Sequence, residues 1–144
     1  MASVRELYQG SILEHSKNPR NFGRLAGARG VLRENPLCGD QVTLYVKIQN
    51  GVIVNISFEG EGCALSMASA SVMSECIKGK TAAFASALSD RFAEFLQQGD
   101  LSDAQSGKAA LGSLSVFAPV HQFPARIECV RLAWRALGTA LDQT

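Results

Sequence analysis

Three cysteines and one aspartate are the residues of this sequence best suited to act together in chemistry. Cys38 and Asp40 lie two positions apart beside a proline and a glycine, Cys63 follows a Gly-Glu-Gly segment, and Cys129 lies five residues after Pro124. The thiolate is the nucleophilic form of cysteine, and three thiolates with one carboxylate also make a four-coordinate metal site. Such a donor set suits zinc, and its thiolate content also suits an iron–sulfur cluster. Because no two cysteines have CxxC spacing, the spacing alone does not decide between these uses.

A β-hairpin predicted between Cys38 and Cys63 brings these two residues together. Asn50-Gly51 separates two stretches of alternating apolar residues, which is typical of a two-residue type I′ turn. The alternating residues are Val42, Leu44, Val46 and Ile48 before the turn and Val52, Val54, Ile56 and Phe58 after it. In such a turn Gln49 faces Val52, and the same register carried outward places Cys38 opposite Cys63. This proximity has three explanations: a disulfide, a metal site or coincidence.

Length, charge and composition limit the class of protein. A chain of 144 residues with 47% hydrophobic residues suits one soluble globular domain. The net charge is +1 with no long basic stretch, so we expect no nucleic-acid partner, and no apolar stretch approaches membrane-spanning length. Residues 1–10 lack the apolar core of a signal peptide, and we therefore expect a cytoplasmic protein. In that compartment cysteines indicate metal binding, catalysis or burial more than disulfides.

Local signals predict helices on both sides of the hairpin. Ser3 and Glu6 fit a capping box for a helix starting near Val4, and Asn18-Pro19 should end that helix. A second helix is expected over 64–77, with an apolar face of Leu65, Ala68, Val72 and Cys76 and a left-handed Gly79 at its end. The other predicted elements are an edge strand at 31–33, two short helices over 81–98 with Ser89 capping the second, a loop at 99–107, a short helix at 108–117, a turn between Pro119 and Pro124, and a last helix from Pro124 with a buried stripe of Ile127, Val130, Trp134, Leu137 and Leu141.

The expected surroundings differ among the three cysteines. Cys63 and Cys129 fall at or near helix N-termini, where the positive end of the helix dipole favours the thiolate. Cys129 is predicted to lie off the buried stripe of its helix, on the face that it shares with Arg126. Cys38 lies in a Pro/Gly turn, and Asp40 could present its carboxylate to the same centre.

Three further residues are weaker candidates. Cys76 lies on the apolar face of its helix and is expected to be a buried structural residue. His15 is expected to be a surface or partly buried helix residue rather than a ligand. His121 lies in the Pro-bounded turn before Cys129 and could approach the site, although a solvated loop histidine is the simpler interpretation.

At these residues the chain resembles the NifU/IscU superfamily of iron–sulfur cluster assembly proteins, and within it the SufU branch. The resemblance runs nearly end to end. A long stretch separates Cys63 from Cys129, as in the SufU branch, whereas IscU proteins have a much shorter one. The matching segments are Leu7-Tyr8, Ile12-Leu13-Glu14-His15, Asn18-Pro19-Arg20-Asn21-Phe22-Gly23, Asn35-Pro36-Leu37-Cys38-Gly39-Asp40, Phe58-Glu59-Gly60-Glu61-Gly62-Cys63-Ala64-Leu65-Ser66-Met67-Ala68-Ser69-Ala70-Ser71, Lys78-Gly79-Lys80 and Phe123-Pro124-Ala125-Arg126-Ile127-Glu128-Cys129.

The resemblance implies an α+β fold of the SufE/NifU type, with a small antiparallel sheet covered on one side by helices. The hairpin 41–59 and a short edge strand would form the sheet. Residues 1–144 would form a single NifU N-terminal or IscU-like domain, with a SufU-type longer segment at about 80–118.

The resemblance also implies a site and its partners. Cys38, Asp40, Cys63 and Cys129 would bind one zinc ion, and Cys38 would accept sulfur. The donor would be a pyridoxal-phosphate-dependent cysteine desulfurase of the SufS or IscS type, and downstream iron–sulfur assembly proteins would follow. In IscU proteins the same ligand set carries a 2Fe–2S cluster, so iron and a transient cluster are the alternative cargo.

One residue departs from the family pattern. SufU proteins commonly have lysine immediately before the third cysteine and IscU proteins have histidine, whereas this chain has Glu128. The change removes the IscU-type histidine ligand and places a negative charge beside the site. Together with Arg126 and His121, Glu128 is a candidate neighbour of the four ligands.

Three functions are consistent with these residues. The first is a zinc-dependent sulfurtransferase that carries a persulfide on Cys38, and the second is a non-enzymatic scaffold for a 2Fe–2S cluster. The third is a zinc-stabilised interaction module without sulfur chemistry. The long segment after Cys63 and the missing histidine before Cys129 favour the first over the second. The third is the weakest, because Asp40 is a poorer structural ligand than a fourth cysteine.

Overall fold

A three-stranded sheet and four α-helices make up the computed structural model, which describes residues 10–99 and 111–143. The order is α1 (Gly10–Lys17), β1 (Gly30–Asn35), β2 (Asp40–Gln49), β3 (Val52–Glu61), α2 (Ala64–Ile77), α3 (Ala82–Gln98), a 3₁₀ helix (Gly112–Gln122) and α4 (Pro124–Asp142). The sheet is antiparallel with strand order β1-β2-β3. This arrangement confirms the predicted α+β fold.

The hairpin turn is as predicted, but its register changes two pairs away. Asn50 and Gly51 have φ angles of 54° and 76°, as a type I′ turn requires, and Gln49 pairs with Val52. A β-bulge then shifts the register, so that Gln41 pairs with Glu61. The predicted pairing of Cys38 with Cys63 is therefore wrong by one residue, because a bulge adds one residue to one strand.

The bulge also changes which side chains of β3 are buried. Ile53 is completely buried, whereas Val54 is 41% exposed, which reverses the predicted alternation at this point. Beyond the bulge Ile56 and Phe58 face the core as expected. A bulge of this kind depends on packing across the sheet, and alternation in one strand does not reveal it.

Helices α2 and α4 pack against each other, and α4 also packs on β1 and β2. The core between these elements is continuous with that formed by α3 and the 3₁₀ helix; its largest fully buried side chains include Phe58, Phe92, Phe95, Phe117, Leu44, Ile53, Leu65, Met73 and Ile77. In the described ranges, no helix has both the length and the apolar character needed to cross a membrane.

Helix α2 has the predicted bounds but is buried on more than one face. Of the predicted apolar face, Leu65, Ala68 and Val72 are buried and Cys76 is half-buried. Four serines of the helix are also buried, namely Ser66, Ser69, Ser71 and Ser74. Each hydroxyl makes a hydrogen bond with a neighbouring segment, and Ser74 also donates to the Ser71 carbonyl oxygen within the helix, so the buried polar groups are paired.

The segment after α2 differs most from expectation. Thr81 caps α3 by accepting a hydrogen bond from the Phe84 N–H at 3.0 Å, and the helix continues without interruption past Ser89 to Gln98. The predicted pair of short helices is thus one helix, because its apolar residues share one buried stripe: Ala85, Leu88, Phe92, Phe95 and Leu96. The expected turn after Pro119 is instead part of the 3₁₀ helix.

Some predictions fall outside the described residues. These are the capping box and start of the first helix and nearly all of the loop at 99–107. Part of the short helix at 108–117 also lies there. Helix α1 ends at Lys17, as predicted from Asn18-Pro19, and α4 begins at Pro124.

Candidate metal centre

Cys38 and Asp40 are positioned by the turn that joins β1 to β2. The backbone N–H groups of Cys38 and Gly39 donate to the Asn35 carbonyl oxygen at 3.2 and 2.8 Å, and Leu37 N–H donates to the Asn35 side chain at 3.2 Å. Gly39 has a φ of 73°, a left-handed conformation that closes the turn with little strain for glycine. As a result Cys38 is exposed at the tip, whereas Asp40, the first residue of β2, is buried.

Cys63 is the N-cap residue of α2, and Gly62 alone separates it from the end of β3. Its backbone N–H donates to Asp40 Oδ1 at 2.9 Å, and its Sγ lies 3.4 Å from Asp40 Oδ2. Gly62 allows this approach, because a Cβ at that position would lie 2.6 Å from Asp40 Oδ1. The shifted register of the hairpin therefore brings Asp40, rather than Cys38, against the start of α2.

Cys129 comes from α4 and is only 2% exposed. The prediction that it lies off the buried face of its helix is wrong, because that face of α4 packs against α2. Its Sγ lies 3.5 Å from Cys38 Sγ. Ligand atoms of Cys38, Asp40 and Cys129 all lie within 4.8 Å of one another, and Cys63 adjoins this group through Asp40.

The Asp40 carboxylate is surrounded by hydrogen-bond donors. Burial by itself would raise its pKa, but hydrogen bonds from Ser66, Cys38, the Cys63 backbone and Cys129 outweigh burial and hold the pKa below its ordinary value. Asp40 is thus a carboxylate whose environment favours negative charge, as a metal ligand needs.

The surroundings of Cys129, in contrast, favour the neutral thiol in the metal-free protein. Burial raises its pKa well above the ordinary range, and the neighbouring Cys63 and the hydrogen bonds that the Cys129 thiol shares with Cys38, Cys63 and Asp40 raise it further. The expected stabilisation of its thiolate by the helix dipole is therefore wrong for Cys129. It is the sixth residue of α4, beyond the first turn where the dipole acts, and burial dominates.

Two separations within the donor set are compatible with a tetrahedral zinc site. Zn–S bonds of about 2.3 Å and Zn–O bonds of about 2.1 Å give S···S and S···O edges of about 3.8 and 3.6 Å. The observed separations of 3.5 Å between Cys38 Sγ and Cys129 Sγ and 3.4 Å between Cys63 Sγ and Asp40 Oδ2 are close to these edges. All four cysteines are free, which excludes a Cys38–Cys63 disulfide in this structure.

The three predicted neighbours lie in different surroundings. Arg126 is half-buried in the first turn of α4. Glu128 forms an ion pair with Arg135 at 2.8 Å, so its charge is directed along α4. His121 Nδ1 lies 3.3 Å from the Leu96 carbonyl oxygen near the end of α3, and in the described part of the chain it is not among the clustered ligand atoms.

Ser66 is a residue of the site that the sequence patterns did not single out. Its hydroxyl is fully buried, 2.5 Å from Asp40 Oδ2 and 3.2 Å from the Cys129 carbonyl oxygen. A polar residue in the first turn of the helix, three residues after Cys63, was the available signal. Its meaning required knowing that β2 and α4 meet at that turn.

The comparison with known proteins agrees with this fold. The chain matches the description of the NifU-like N-terminal domain family over residues 7–140. It is 40% identical over 144 residues to the zinc-dependent sulfurtransferase SufU of Bacillus subtilis (strain 168), covering 99% of this chain and 95% of that protein. It is 39% identical over 144 residues to the iron–sulfur cluster assembly scaffold protein IscU of Streptococcus pyogenes serotype M1, covering 100% of this chain and 88% of that protein.

A solved structure supports the same assignment. The N-terminal part of a nitrogen-fixing NifU-like protein from Brucella abortus superposes with a TM-score of 0.86 at 28% identity, covering 97% of this chain and 95% of that one. The matches in sequence and in structure both span nearly the whole chain. The chain therefore belongs to the NifU-like N-terminal domain family.

Proposed function

We propose that this protein works in iron–sulfur cluster assembly as a zinc-bound acceptor that receives persulfide sulfur on Cys38. The observation that carries the proposal is the difference in exposure within the site. Cys38 is exposed at a turn, whereas Cys129 and Asp40 are buried and Cys63 is half-buried. A sulfur acceptor must be reached by the donor protein, and Cys38 is the cysteine of the site that meets this requirement.

The zinc ion would be held by Cys38, Asp40, Cys63 and Cys129. When bound, it would supply positive charge that keeps the thiols deprotonated at neutral pH. The remaining work belongs to the protein. Asp40 is held by the Cys63 N–H and by Ser66, and Cys129 is buried under α4, whereas Cys38 lies in a turn whose described hydrogen bonds go to Asn35. Cys38 can therefore move with the least disturbance to the fold.

The transfer is a thiol–persulfide exchange. The Cys38 thiolate attacks the outer sulfur of a cysteine persulfide on the donor, and a new S–S bond forms at Cys38. The S–S bond of the donor breaks, and the donor cysteine leaves as a thiolate. The outer sulfur keeps its proton, so atoms and charge balance without any oxidant or reductant.

The donor we propose is a pyridoxal-phosphate-dependent cysteine desulfurase, with downstream assembly proteins as the recipients. The turn around Cys38 supports an encounter with a protein, because the neighbouring Leu37 is 87% exposed. An apolar side chain of this size gains free energy when a partner covers it, about 1.5–3 kcal/mol if burial is complete. The Bacillus subtilis relative is named a zinc-dependent sulfurtransferase, which supports the transfer of sulfur.

A scaffold for an iron–sulfur cluster is the second candidate. The Streptococcus pyogenes relative is named as such a scaffold, and three thiols with one carboxylate also suit iron. Metal analysis of protein purified without air separates the two. We expect about one zinc per chain for the sulfur acceptor, whereas visible absorption with stoichiometric iron and sulfide favours the scaffold.

The central test maps the sulfur. The protein is incubated with a SufS-type cysteine desulfurase and cysteine, and the persulfide is located by peptide mass spectrometry after alkylation. We expect the added sulfur on Cys38. Cys38→Ser should abolish stimulation of the desulfurase, while the matched control Cys76→Ser should retain it, because Cys76 lies outside the site beside Ser113. Stimulation that survives in Cys38→Ser, or sulfur found on Cys129 alone, would contradict the proposal.

A further inference from the structure

We propose that Ser66 is a positioning residue that sets the orientation of the Asp40 carboxylate toward the metal. The inference rests on the proposed zinc site but not on sulfur transfer. Ser66 lies in the first turn of α2 and its side chain is completely buried. A buried hydroxyl needs a partner, and the nearest one to this hydroxyl is Asp40 Oδ2 at 2.5 Å.

The contacts of Ser66 join three of the four proposed ligands. Its Oγ is 3.2 Å from the Cys129 carbonyl oxygen and 3.6 Å from Cys63 Sγ, besides the short contact with Asp40. A serine hydroxyl has one proton to donate, and the shortest contact, to a charged acceptor, takes that proton. Ser66 therefore acts mainly through Asp40.

Of the donors around Asp40, two do not use a thiol proton, and these two act on the two carboxylate oxygens and fix the plane of the group. The Cys63 backbone N–H binds Asp40 Oδ1 at 2.9 Å, and the Ser66 hydroxyl binds Oδ2. Each carboxylate oxygen has two lone-pair sites, so Oδ2 keeps one site for a metal while the other accepts from Ser66. Without Ser66, and with the thiols bound to zinc as thiolates, the carboxylate would keep one anchor and could rotate. Hydrogen bonds that orient metal ligands in this way typically change metal affinity by about 10- to 100-fold.

The chain provides a matched control one turn further along the same helix. Ser69 is also completely buried and also faces α4, where it donates to the Val130 carbonyl oxygen at 2.5 Å and accepts from Trp134 Nε1 at 3.1 Å. Ser69 thus makes the same kind of buried hydrogen bond, but its contacts are with the framework. Ser69→Ala therefore measures the effect of losing a buried serine hydroxyl from α2 without changing a contact to the proposed ligands.

The experiment is a double-mutant cycle read by zinc retention. Zinc-loaded parent, Ser66→Ala, Asp40→Ala and the double variant are titrated with a chromophoric chelator, and folding is checked by circular dichroism. We expect Ser66→Ala to weaken zinc affinity by about tenfold or more and to have no further effect in the Asp40→Ala background. Ser69→Ala should retain zinc as the parent does. The cobalt-substituted Ser66→Ala protein should show the same change in visible d–d bands as cobalt-substituted Asp40→Ala.

Each remaining outcome rejects the proposal for a distinct reason. Unchanged zinc affinity in Ser66→Ala shows that the hydroxyl does not position a ligand. If Ser66→Ala lowers zinc affinity equally with and without the Asp40 carboxylate, Ser66 acts through Cys63 or Cys129 instead. A loss of zinc from Ser69→Ala as large as from Ser66→Ala shows a general effect on the α2–α4 contact. A parent that binds neither zinc nor cobalt rejects the zinc site and this inference together, whereas failed sulfur transfer with intact zinc binding rejects the proposed function alone.

Discussion

At the scale of single residues, the contact between Asp40 and Gly62 shows how tightly the site is packed. Asp40 follows an exposed cysteine by two positions, yet it is buried, and its carboxylate meets the backbone at the start of α2. The space for this approach exists because residue 62 has no side chain. Gly62 is therefore part of the site, although it has no side chain to supply a ligand atom.

Gly62→Ala should displace the Asp40 carboxylate. A Cβ at this position would lie 2.6 Å from Asp40 Oδ1 and 2.7 Å from its Cγ, so the aspartate or the strand end must move. We expect zinc affinity to fall roughly tenfold and the free energy of unfolding to fall by about 1–3 kcal/mol. Chelator competition and denaturant unfolding measure the two effects.

Gly138→Ala is the control for this substitution. Gly138 lies on the exposed side of α4 and a Cβ there meets nothing within 4 Å, so alanine should leave zinc affinity unchanged and stabilise the helix by up to about 1 kcal/mol. If Gly62→Ala holds zinc as tightly as Gly138→Ala does, the close approach at Gly62 is not needed for the site.

At the scale of elements, a buried histidine fastens α1 and the segment after it to α2. His15 Nδ1 lies 2.7 Å from Ser71 Oγ, and the same hydroxyl accepts the Arg20 N–H at 2.8 Å. His15 Nε2 is 3.6 Å from the Glu75 carboxylate. His15 was expected to be a surface or partly buried residue, but it is buried, because α1 packs along α2.

His15→Gln should remove a pH-dependent part of the stability. Burial, followed by the charge of Arg20, lowers the His15 pKa below 6.5, so the folded protein takes up this proton at lower pH than the unfolded chain does. The contribution of neutral His15 is complete above pH 6.5 and is lost as the pH falls through this value toward the folded pKa. At neutral pH we expect the variant to be less stable by about 1–2 kcal/mol.

The measurement is denaturant unfolding of parent and variant at several pH values and a constant excess of zinc. The difference in the free energy of unfolding between the two proteins should narrow as the solution is acidified, because the contribution of neutral His15 is lost. The effect of pH on zinc binding is common to both proteins and cancels in this difference. A difference that stays constant across the titration of histidine would mean that His15 keeps its ordinary pKa.

At the scale of the whole molecule, the proposed ligands join parts of the chain that are far apart in sequence. Cys38 and Cys129 are 91 residues apart, and they come from the β1–β2 turn and from α4. Asp40 and Cys63 join the start of β2 to the start of α2. An ion bound by all four would connect the sheet to both central helices, and such binding adds to the stability of the folded state.

Removal of zinc should therefore lower the midpoint of thermal unfolding without abolishing the fold. The continuous buried core is independent of the metal, so the helical signal should persist at room temperature. At free zinc a thousandfold above its dissociation constant the stabilisation is about 4 kcal/mol, which corresponds to roughly 10 °C for a domain of this size. Scanning calorimetry with zinc and with chelator measures the shift.

Magnesium is the control ion for this prediction. It prefers oxygen ligands and should not reproduce the effect of zinc on a thiolate-rich site. An equal midpoint with zinc and with chelator would show that zinc does not bind the folded protein preferentially.

Local signals in the sequence determined the features whose cause is local. Asn50-Gly51 can adopt the two positive φ angles of the hairpin turn, Pro124 starts α4, and Gly79 ends α2 in the left-handed conformation. The clustering of Cys38 and Asp40 with Cys129 was expected from the family resemblance, because Cys38 and Cys129 are 91 residues apart. The turn and the helix ends depend on a few neighbouring residues, so the sequence predicts them without knowledge of the rest of the chain.

The tertiary structure alone decided the features that depend on contacts between distant segments. The bulge at Val54 shifts the register by one residue and brings Asp40 to Gly62, because burial of Ile53 outweighs strict alternation. Packing of α4 against α2 buries Cys129, and burial raises the pKa of its thiol where the helix dipole was expected to lower it. Ser66 became part of the site for the same reason: a hydroxyl in the first turn of a helix acquires its partners only when a strand and a second helix close around it.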